Sequence, residues 1–430
     1  MSLLHDATNS ETLASSNNNI EEGSDNKKST SDSDKASSEI EMTNSPSLPN
    51  DATSLSGNAK ALSDTASACS GNAGGKPTKN SGLKTDNAVN ITNTKRKRRG
   101  LWALLVIVVL LPIVFCFLPM GTNSETRYIL VDTDDNVDSV SQKVKNEVSP
   151  WQMVGFRVLS VAARYSNHVF TGRYQAKPFV SAFTLVRILV KGRQTPINLT
   201  LPQGWTKEDV AGRVAQKMMF DSLSLVRAMQ DDSFCRSLGG LDTTLIATIL
   251  IPNTYQLYWN ISATDFLKRM YKESLAFWND DRLGAADALG LTKEEVYTLA
   301  SIVDAETTNN AEKPLVAGMY LNRLEKGMPL QADPTIKFAL RRFDLKRIFG
   351  DMLRVDSPYN TYTHRGLPPG PIRIPSLSSI EAVLHPANHD YLYMCAKADL
   401  SGTHVFSRTF SEHRAAAAAY ARSLNDKGIH

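Results

Sequence analysis

The sequence predicts an α+β protein with one apolar helix near its N-terminus, a small mixed module after it, and a larger, mainly helical domain beyond. Three observations carry this. Leu101 to Met120 reads LWALLVIVVLLPIVFCFLPM without a charge. Strand-like and helix-like segments alternate from Glu125 to about Thr200. From Pro202 onward helical spacing dominates. The 430 residues leave room for two or three domains, and the chain is read as a tail (1–94), a basic cluster with an apolar helix (95–120), a small module (121–201) and a larger domain (202–425).

From Met1 to Thr94 there is no Phe, Tyr or Trp, and Ser, Asn, Asp, Thr and Lys dominate. Such a stretch has too little apolar surface to offset the entropy of ordering it, so it is expected to be disordered. The net charge of +4 is small for this length and gives no general case for nucleic-acid binding. The basic run Lys95-Arg96-Lys97-Arg98-Arg99 is the exception, and its context decides its meaning. An uncharged run of about 20 residues spans a bilayer as a helix. A basic cluster at its N-terminal end marks that end as cytoplasmic. Pro112 is tolerable in such a helix where neighbouring groups re-satisfy the backbone. A cleaved signal peptide fits poorly, because about 95 residues precede the run and no A-x-A-like site follows.

Of the cysteines Cys69, Cys116, Cys235 and Cys395, only the last two share the expected outer compartment. They are either one disulfide or two buried thiols. There is no CxxC pair and no zinc spacing, and no metal or cofactor is expected. His385 and His389 lack an obvious third ligand and read better as structural or substrate-contacting groups.

In the small module, Arg127–Val131 is strand-like, Asp135–Lys145 and Trp151–Ser166 are helical, and Ala182–Lys191 is a helix stopped by Gly192. Ile197–Leu201 alternates as a half-buried strand does. Strand–helix–helix–strand modules of this kind include LysM-like sugar-binding folds, and an unrelated α+β module fits the pattern equally. In the larger domain, Thr206–Met219 and Ser262–Trp278 have helical spacing. Thr292-Lys293-Glu294-Glu295 is a capping-box start, and its helix should end near Thr307. Another helix is expected over Ala311–Lys326, with Gly327 as its stop.

No nucleophile elbow, Walker A or H-E-x-x-H motif is present. The chemically suggestive stretch is Ala300-Ser301-Ile302-Val303-Asp304-Ala305-Glu306-Thr307. Two residues apart on a helix, Asp304 and Glu306 point about 200° from each other and form no dyad on one face. Glu306 shares a face with Ile302 and Val303 and sits near a helix C-terminus. Burial and the helix dipole both raise a carboxyl pKa there, as a general acid requires. An acid merely solvated at a helix end fits the same residues. Leu330–Thr335 and Ser357–Ile372 pack Gln331, Asp333, Thr335, Tyr359, Asn360 and Thr361 among rigid prolines and turn glycines. Amides, hydroxyls and rings of this kind suit sugar recognition, and equally suit two structural turns.

These segments resemble one family. Ala300-Ser301-Ile302-Val303-x-x-Glu306-Thr307, Leu321-Asn322-Arg323-Leu324, Gly327-Met328, Leu330-Gln331-x-Asp333-Pro334-Thr335, Ser357–Tyr362, Gly366–Ile372, His385-Pro386-Ala387, Tyr391-Leu392-Tyr393 and Gly402-Thr403-His404-x-Phe406-Ser407 are similar to the endolytic murein transglycosylases, the YceG-like family. The order and spacing hold over roughly 200 residues. The resemblance implies a single-pass enzyme of the bacterial inner membrane, N-terminus inside, with a LysM-like module and a catalytic domain at 202–425 outside. It implies cleavage within nascent peptidoglycan glycan strands, ending their elongation, with Glu306 as the catalytic acid. It implies sugar positioning by Gln331, Asp333, Thr335, Tyr359, Asn360 and Thr361, and no cofactor. Glycan strands, membrane lipid and peptidoglycan synthases are the partners it points to. Asp304 stands where relatives often have Glu, and the long tail is not a general family feature. A hydrolase with Asp333 as base and a non-catalytic glycan-binding scaffold are the rival readings.

Overall fold

The structure, a computed structural model, describes residues 90–117, 119, 125–345 and 347–426. The tail expected to be disordered lies almost wholly outside the described residues. Helix α1 (Asn90–Phe117) carries the apolar run from Leu101 to Phe117, with Pro112 inside it. Its stretch Arg98–Phe117 is long and apolar enough to cross a membrane.

The small module follows. Strand β1 (Arg127–Val131) pairs antiparallel with β2 (Gly172–Ala176), from Arg127 opposite Ala176 to Val131 opposite Gly172. Between them run α2 (Val137–Glu147) and α3 (Pro150–Ala162), and α4 (Ala182–Val190) comes after. The helix starts are chemically explicit. Asn136 accepts from the backbone N–H of Asp138 and Ser139, and Ser149 forms a reciprocal capping box with Gln152 just before Pro150. The inward residues of β1, Ile129 and Val131, meet Val140, Val144, Phe156, Tyr174, Leu185 and Leu189 in one core. Strand β3 (Ile197–Thr200), read in the sequence as the end of this module, pairs instead with β4 (Thr254–Leu257). Its Leu199 therefore joins the core of the next part.

That next part is built from α5 (Lys207–Ala215), α6 (Ser222–Gln230), α7 (Asp232–Ser237) and α8 (Ala263–Phe277), packed around Leu225, Met229, Phe266, Leu267 and Met270. Cys235 is buried in this core, and both it and Cys395 are free thiols. A further core is assembled by α9 (Asp280–Ala288), α10 (Lys293–Glu306), α11 (Lys313–Glu325), α12 (Asp333–Ala339) and α13 (Leu377–Leu384). The hairpin of β5 (Tyr393–Ala396) with β6 (His404–Ser407) and helix α14 (Phe410–Asp426) complete the described residues.

Helix α10 begins as the sequence predicts. Thr292 accepts from Glu295 N while Glu295 reaches back to the Thr292 N–H. Nine of its consecutive residues, Val296 to Asp304, are buried, so it is the central helix of its core. Buried Asp304 is what fixes its far end. The Asp304 carboxylate accepts from Ser376 N at 3.1 Å, Ser376 Oγ at 2.6 Å, Ser379 Oγ at 2.7 Å and Lys313 Nζ at 3.2 Å. Arg373 Nε lies 3.3 Å from its other oxygen, close enough for an ion pair though not aligned as a hydrogen bond. Burial opposes the charge, but the Ser376 and Ser379 hydrogen bonds and the Arg373 guanidinium outweigh it and hold this carboxyl below its usual range. The cluster thereby ties α10 to the first turn of α11 and to the start of α13.

Removing one partner of such a buried cluster leaves the others uncompensated. Asp304→Ala should therefore lower the unfolding free energy by about 3–5 kcal/mol, read from the shift of a urea denaturation midpoint at pH 7. An Asp304→Ala midpoint equal to wild type would mean that the cluster does not hold α10.

Candidate active site

The last residue of α10 is Glu306, and it enters a cleft at the meeting of α10, α11, the 330–333 turn and the β5–β6 hairpin. Tyr320, Arg323, Gln331, Asp333, Cys395 and His404 share its lining. Glu306 itself is half-buried. Thr307 after it is extended, with φ −142° and ψ 139°, so the helix stops there and the chain turns away.

The surroundings push the Glu306 carboxyl up to about 7. Loss of solvent contributes most, the nearby negative charge of Asp333 contributes next, and a hydrogen bond from Tyr320 opposes both. Tyr320 Oη donates to Glu306 Oε1 at 2.8 Å, and burial holds its own pKa well above 10. A carboxyl poised near 7 exists in both forms at neutral pH, which suits a group that must first give and then take a proton.

The wall opposite is held by Arg323, one of the largest fully buried side chains. Its Nη1 donates to the carbonyls of Pro329 and Leu330 and to Gln331 Oε1, and its Nε donates to Leu392 O. Gln331 sits at φ 51°, in the left-handed region where a non-glycine residue costs about 1–2 kcal/mol. The Arg323 bond to its side chain and its own N–H to Thr361 O, 3.0 Å, hold it there. Asp333 opens α12, and its Oδ1 accepts from Tyr362 Oη at 2.6 Å.

The structure brings three of the sequence-selected residues together in this cleft: Glu306, Gln331 and Asp333. Thr335, Asn360 and Thr361 are buried behind it. Thr335 Oγ1 lies 2.9 Å from Thr361 Oγ1, which in turn accepts from Ala332 N. Asn360 uses its amide on Leu353 O, Val355 O and Tyr362 N. Side chains bonded in this way hold the two turns against each other. Tyr359 lies elsewhere, against Phe338 with ring centroids 4.7 Å apart, in a crevice shared with Trp205 and Arg373. His389 is also spent on the backbone: its Nδ1 accepts from Tyr391 N, and its Nε2 faces Leu315 O at 3.0 Å.

Sequence reasoning gave no role to Tyr320, Arg323 or the pair His404–Glu312. In that pair the Glu312 carboxylate accepts from His404 N at 2.8 Å and lies 3.1 Å from its Nδ1, which orients the ring at the rim of the cleft. The available signals were a tyrosine and an arginine within the Tyr320-Leu321-Asn322-Arg323-Leu324 stretch of one helix, and a histidine next to Gly402-Thr403.

The two neighbours of Glu306 act on it with opposite signs. Tyr320→Phe removes a donor to the charged form, so the Glu306 pKa should rise above its wild-type value. Asp333→Asn removes a like charge, so it should fall. A pH titration of the Glu306 carboxyl carbon by NMR checks both; shifts of the same sign would contradict this arrangement.

The profile of the YceG-like family matches residues 129–419. Two curated relatives carry the name endolytic murein transglycosylase. That of Bacillus subtilis is 31% identical over 243 residues, covering 53% of this chain and 66% of its own. That of Streptococcus pneumoniae serotype 2 is 26% identical over 310 residues, covering 65% of this chain and 56% of its own. The chain thus spans less than two thirds of either relative. A crystal structure of a YceG-like protein from Listeria monocytogenes is 25% identical, with a TM-score of 0.47, covering 68% of this chain and 99% of that one. On the extent of the profile match, the chain belongs to the YceG-like family.

Proposed function

We propose that this protein is a membrane-anchored lytic transglycosylase that cuts within peptidoglycan glycan strands, with Glu306 as its one acid/base group. The observation that carries the reading is the Glu306 carboxyl, raised to about 7 on the wall of a cleft. The names of the relatives supply the substrate class.

Ordinary glycosidases divide the work between two carboxyl groups. A lytic cut needs no water and manages with one. Protonated Glu306 gives its proton to the oxygen joining N-acetylmuramic acid to N-acetylglucosamine, and the bond from C1 to that oxygen breaks. The substrate's own N-acetyl group stabilises the developing oxocarbenium ion. Glu306, now a carboxylate, takes the proton of the muramic C6 hydroxyl, and that oxygen bonds to C1. The products are a free 4-hydroxyl on one fragment and a 1,6-anhydro end on the other. Gln331 and Asp333 border the reacting sugar, while Thr335, Asn360 and Thr361 act as positioning residues behind the wall, and Tyr359 contacts a more distant part of the strand. The cavity at Glu306 measures about 90 Å³, far below the 300 Å³ or more of a typical small-molecule pocket. The strand therefore lies across the cleft mouth and offers only the scissile region to Glu306. The module over 127–190 serves as a LysM-like glycan-binding element, and cuts made beside the membrane end strand growth, next to the synthases that supply the strand.

A hydrolytic reading keeps one observation on its side, since Asp333 lines the same cleft and is a second carboxylate. Its Oδ1 already accepts from Tyr362, which leaves it less available as a base for water.

Digestion of purified glycan strands by the detergent-solubilised chain separates these readings. Mass spectrometry should find 1,6-anhydro ends and no new reducing ends; reducing ends alone would establish hydrolysis, and binding without any product a scaffold. Glu306→Gln should lower the rate by about 10²–10⁴-fold, the usual size of a general-acid contribution. Activity should fall as pH rises through about 7, because the proton donor is lost there. Stability follows the same sign. The folded pKa of Glu306 is raised from 4.5, so its protonated form stabilises the fold fully below about 4.5 and that contribution is lost as pH rises through about 7. Glu306→Gln should accordingly melt higher than wild type at pH 8, and the gap should close on acidification.

A further inference from the structure

We propose that helix α3 and the groove between α3 and α4 lie on the bilayer, in the headgroup region of the leaflet where α1 ends, and hold anionic lipid there. The inference rests on reading α1 as a membrane span.

Helix α3 is apolar on both sides. Its inner face gives Met153 and Phe156 to the module core. Its outer face leaves Trp151 61%, Val154 52%, Val158 53% and Val161 81% exposed. The spacing of three, four and three residues puts these four side chains within about 80° of one another at 100° per residue. A helix that buries one apolar face and exposes a second apolar stripe needs a cover on that open side.

The contacts of α1 identify that cover. Leu101–Phe117 is 17 residues, about 25 Å of helix at 1.5 Å per residue, against a hydrocarbon core of about 30 Å. Its last turn therefore lies near a membrane–water boundary, and the module is seated on that turn. The Trp151 ring stacks on Phe115 with centroids 5.3 Å apart and planes 9° apart. Phe183 at the start of α4 meets Phe117 at 4.8 Å. Cys116 between them is buried. A Cβ at Gly155 would stand 2.8 Å from the Phe115 carbonyl oxygen, so the close approach of α3 to α1 depends on that glycine. These contacts fix Trp151 and the stripe behind it at the depth of the boundary, where tryptophan's apolar body and polar N–H are both accommodated.

Charge points to the kind of lipid. Neither α3 nor α4 contains Asp or Glu. Arg157 and Arg187 lie on them, with Arg164 and Lys191 just beyond their ends. The groove between the helices has an apolar floor of Leu159, Phe183, Val186 and Val190, with Arg187 and Lys191 also lining it. An acyl chain fits such a floor and an anionic headgroup fits such a rim. Asp138, near Arg157 and Val161, is an acid at the far end of the stripe.

The test uses the full chain in nanodiscs of phosphatidylcholine and phosphatidylglycerol with brominated acyl chains. Cys69 is replaced by Ser, so that the remaining native thiols are buried ones. A polarity-sensitive fluorophore is placed, one at a time, on Val158→Cys, on Val108→Cys inside α1, and on Asp281→Cys at the surface of the larger domain. The proposal expects bromine quenching at Val158 of at least half that at Val108, none at Asp281, and weaker quenching at Val158 when phosphatidylglycerol is omitted. Quenching at Val108 with none at Val158 would overturn it while leaving the membrane span intact. No quenching at Val108 would remove the span and the proposal together. Equal quenching at Val158 and Asp281 would mean indiscriminate lipid contact and would also overturn it. Quenching at Val158 that is unchanged without phosphatidylglycerol would overturn the anionic-lipid part.

Discussion

The carboxylate of Asp304 sits inside a shell of two serine hydroxyls, a backbone N–H, a lysine and an arginine, and the end of α10 can go nowhere that this shell does not allow. Lys313 lies nine residues on, while the other donors come from about 70 residues away. Lys313 opens α11, Arg373 belongs to the proline-rich turn, and Ser376 and Ser379 introduce α13. Such a cluster contributes little net stability over a well-packed apolar substitute. What it supplies is position: the next residue but one is Glu306, whose place in the cleft follows from where Asp304 is held.

Two carboxyl groups on one turn of helix thus live in opposite environments. Asp304 is buried more deeply, yet hydrogen bonds and cations keep it charged below its usual range. Among the described residues Glu306 has one donor, Tyr320, and a like charge nearby, so loss of solvent wins and its pKa climbs to about 7. The difference is the number of donors aimed at each carboxylate. The rotation of about 200° between them points one into the packed interface between helices and the other into the cleft.

Local chemistry made much of this legible in the sequence. The Thr292 capping box, the stop after Glu306 and the left-handed Gly327 at φ 60° are written in residues within one turn of the feature they specify. So was the divergence of Asp304 from Glu306. What escaped were long-range pairings. Strand β3 looked like the last piece of the small module because its alternation says nothing of its partner, and that partner, β4, lies over 50 residues away. Thr335, Asn360 and Thr361 were read as sugar contacts because their side chains can hydrogen-bond anything. In the fold these side chains bond one another and the backbone, a pairing that the sequence alone does not carry. Arg323 was missed for the converse reason. A buried guanidinium is expensive unless every N–H finds an acceptor, and its acceptors are backbone carbonyls, which carry no sequence signature.

The same buried residues set how a half-buried acid would be kept in register with a strand lying across the cleft mouth, as proposed. Gln331 is held in a left-handed conformation that it would not adopt alone, between Arg323 on one side and Thr361 on the other. Thr361 is fixed by Thr335 and Ala332, and Asn360 pins the turn that carries it. Asp333 follows directly and is steadied by Tyr362 from the same turn. The charge that raises the Glu306 pKa is therefore placed by the same two turns that shape the wall facing it. A shift of either turn would move the wall and the charge together. A single acid that acts twice on the proposed pathway needs that coupling, because its pKa must stay near neutrality in the one geometry where the bond is cut.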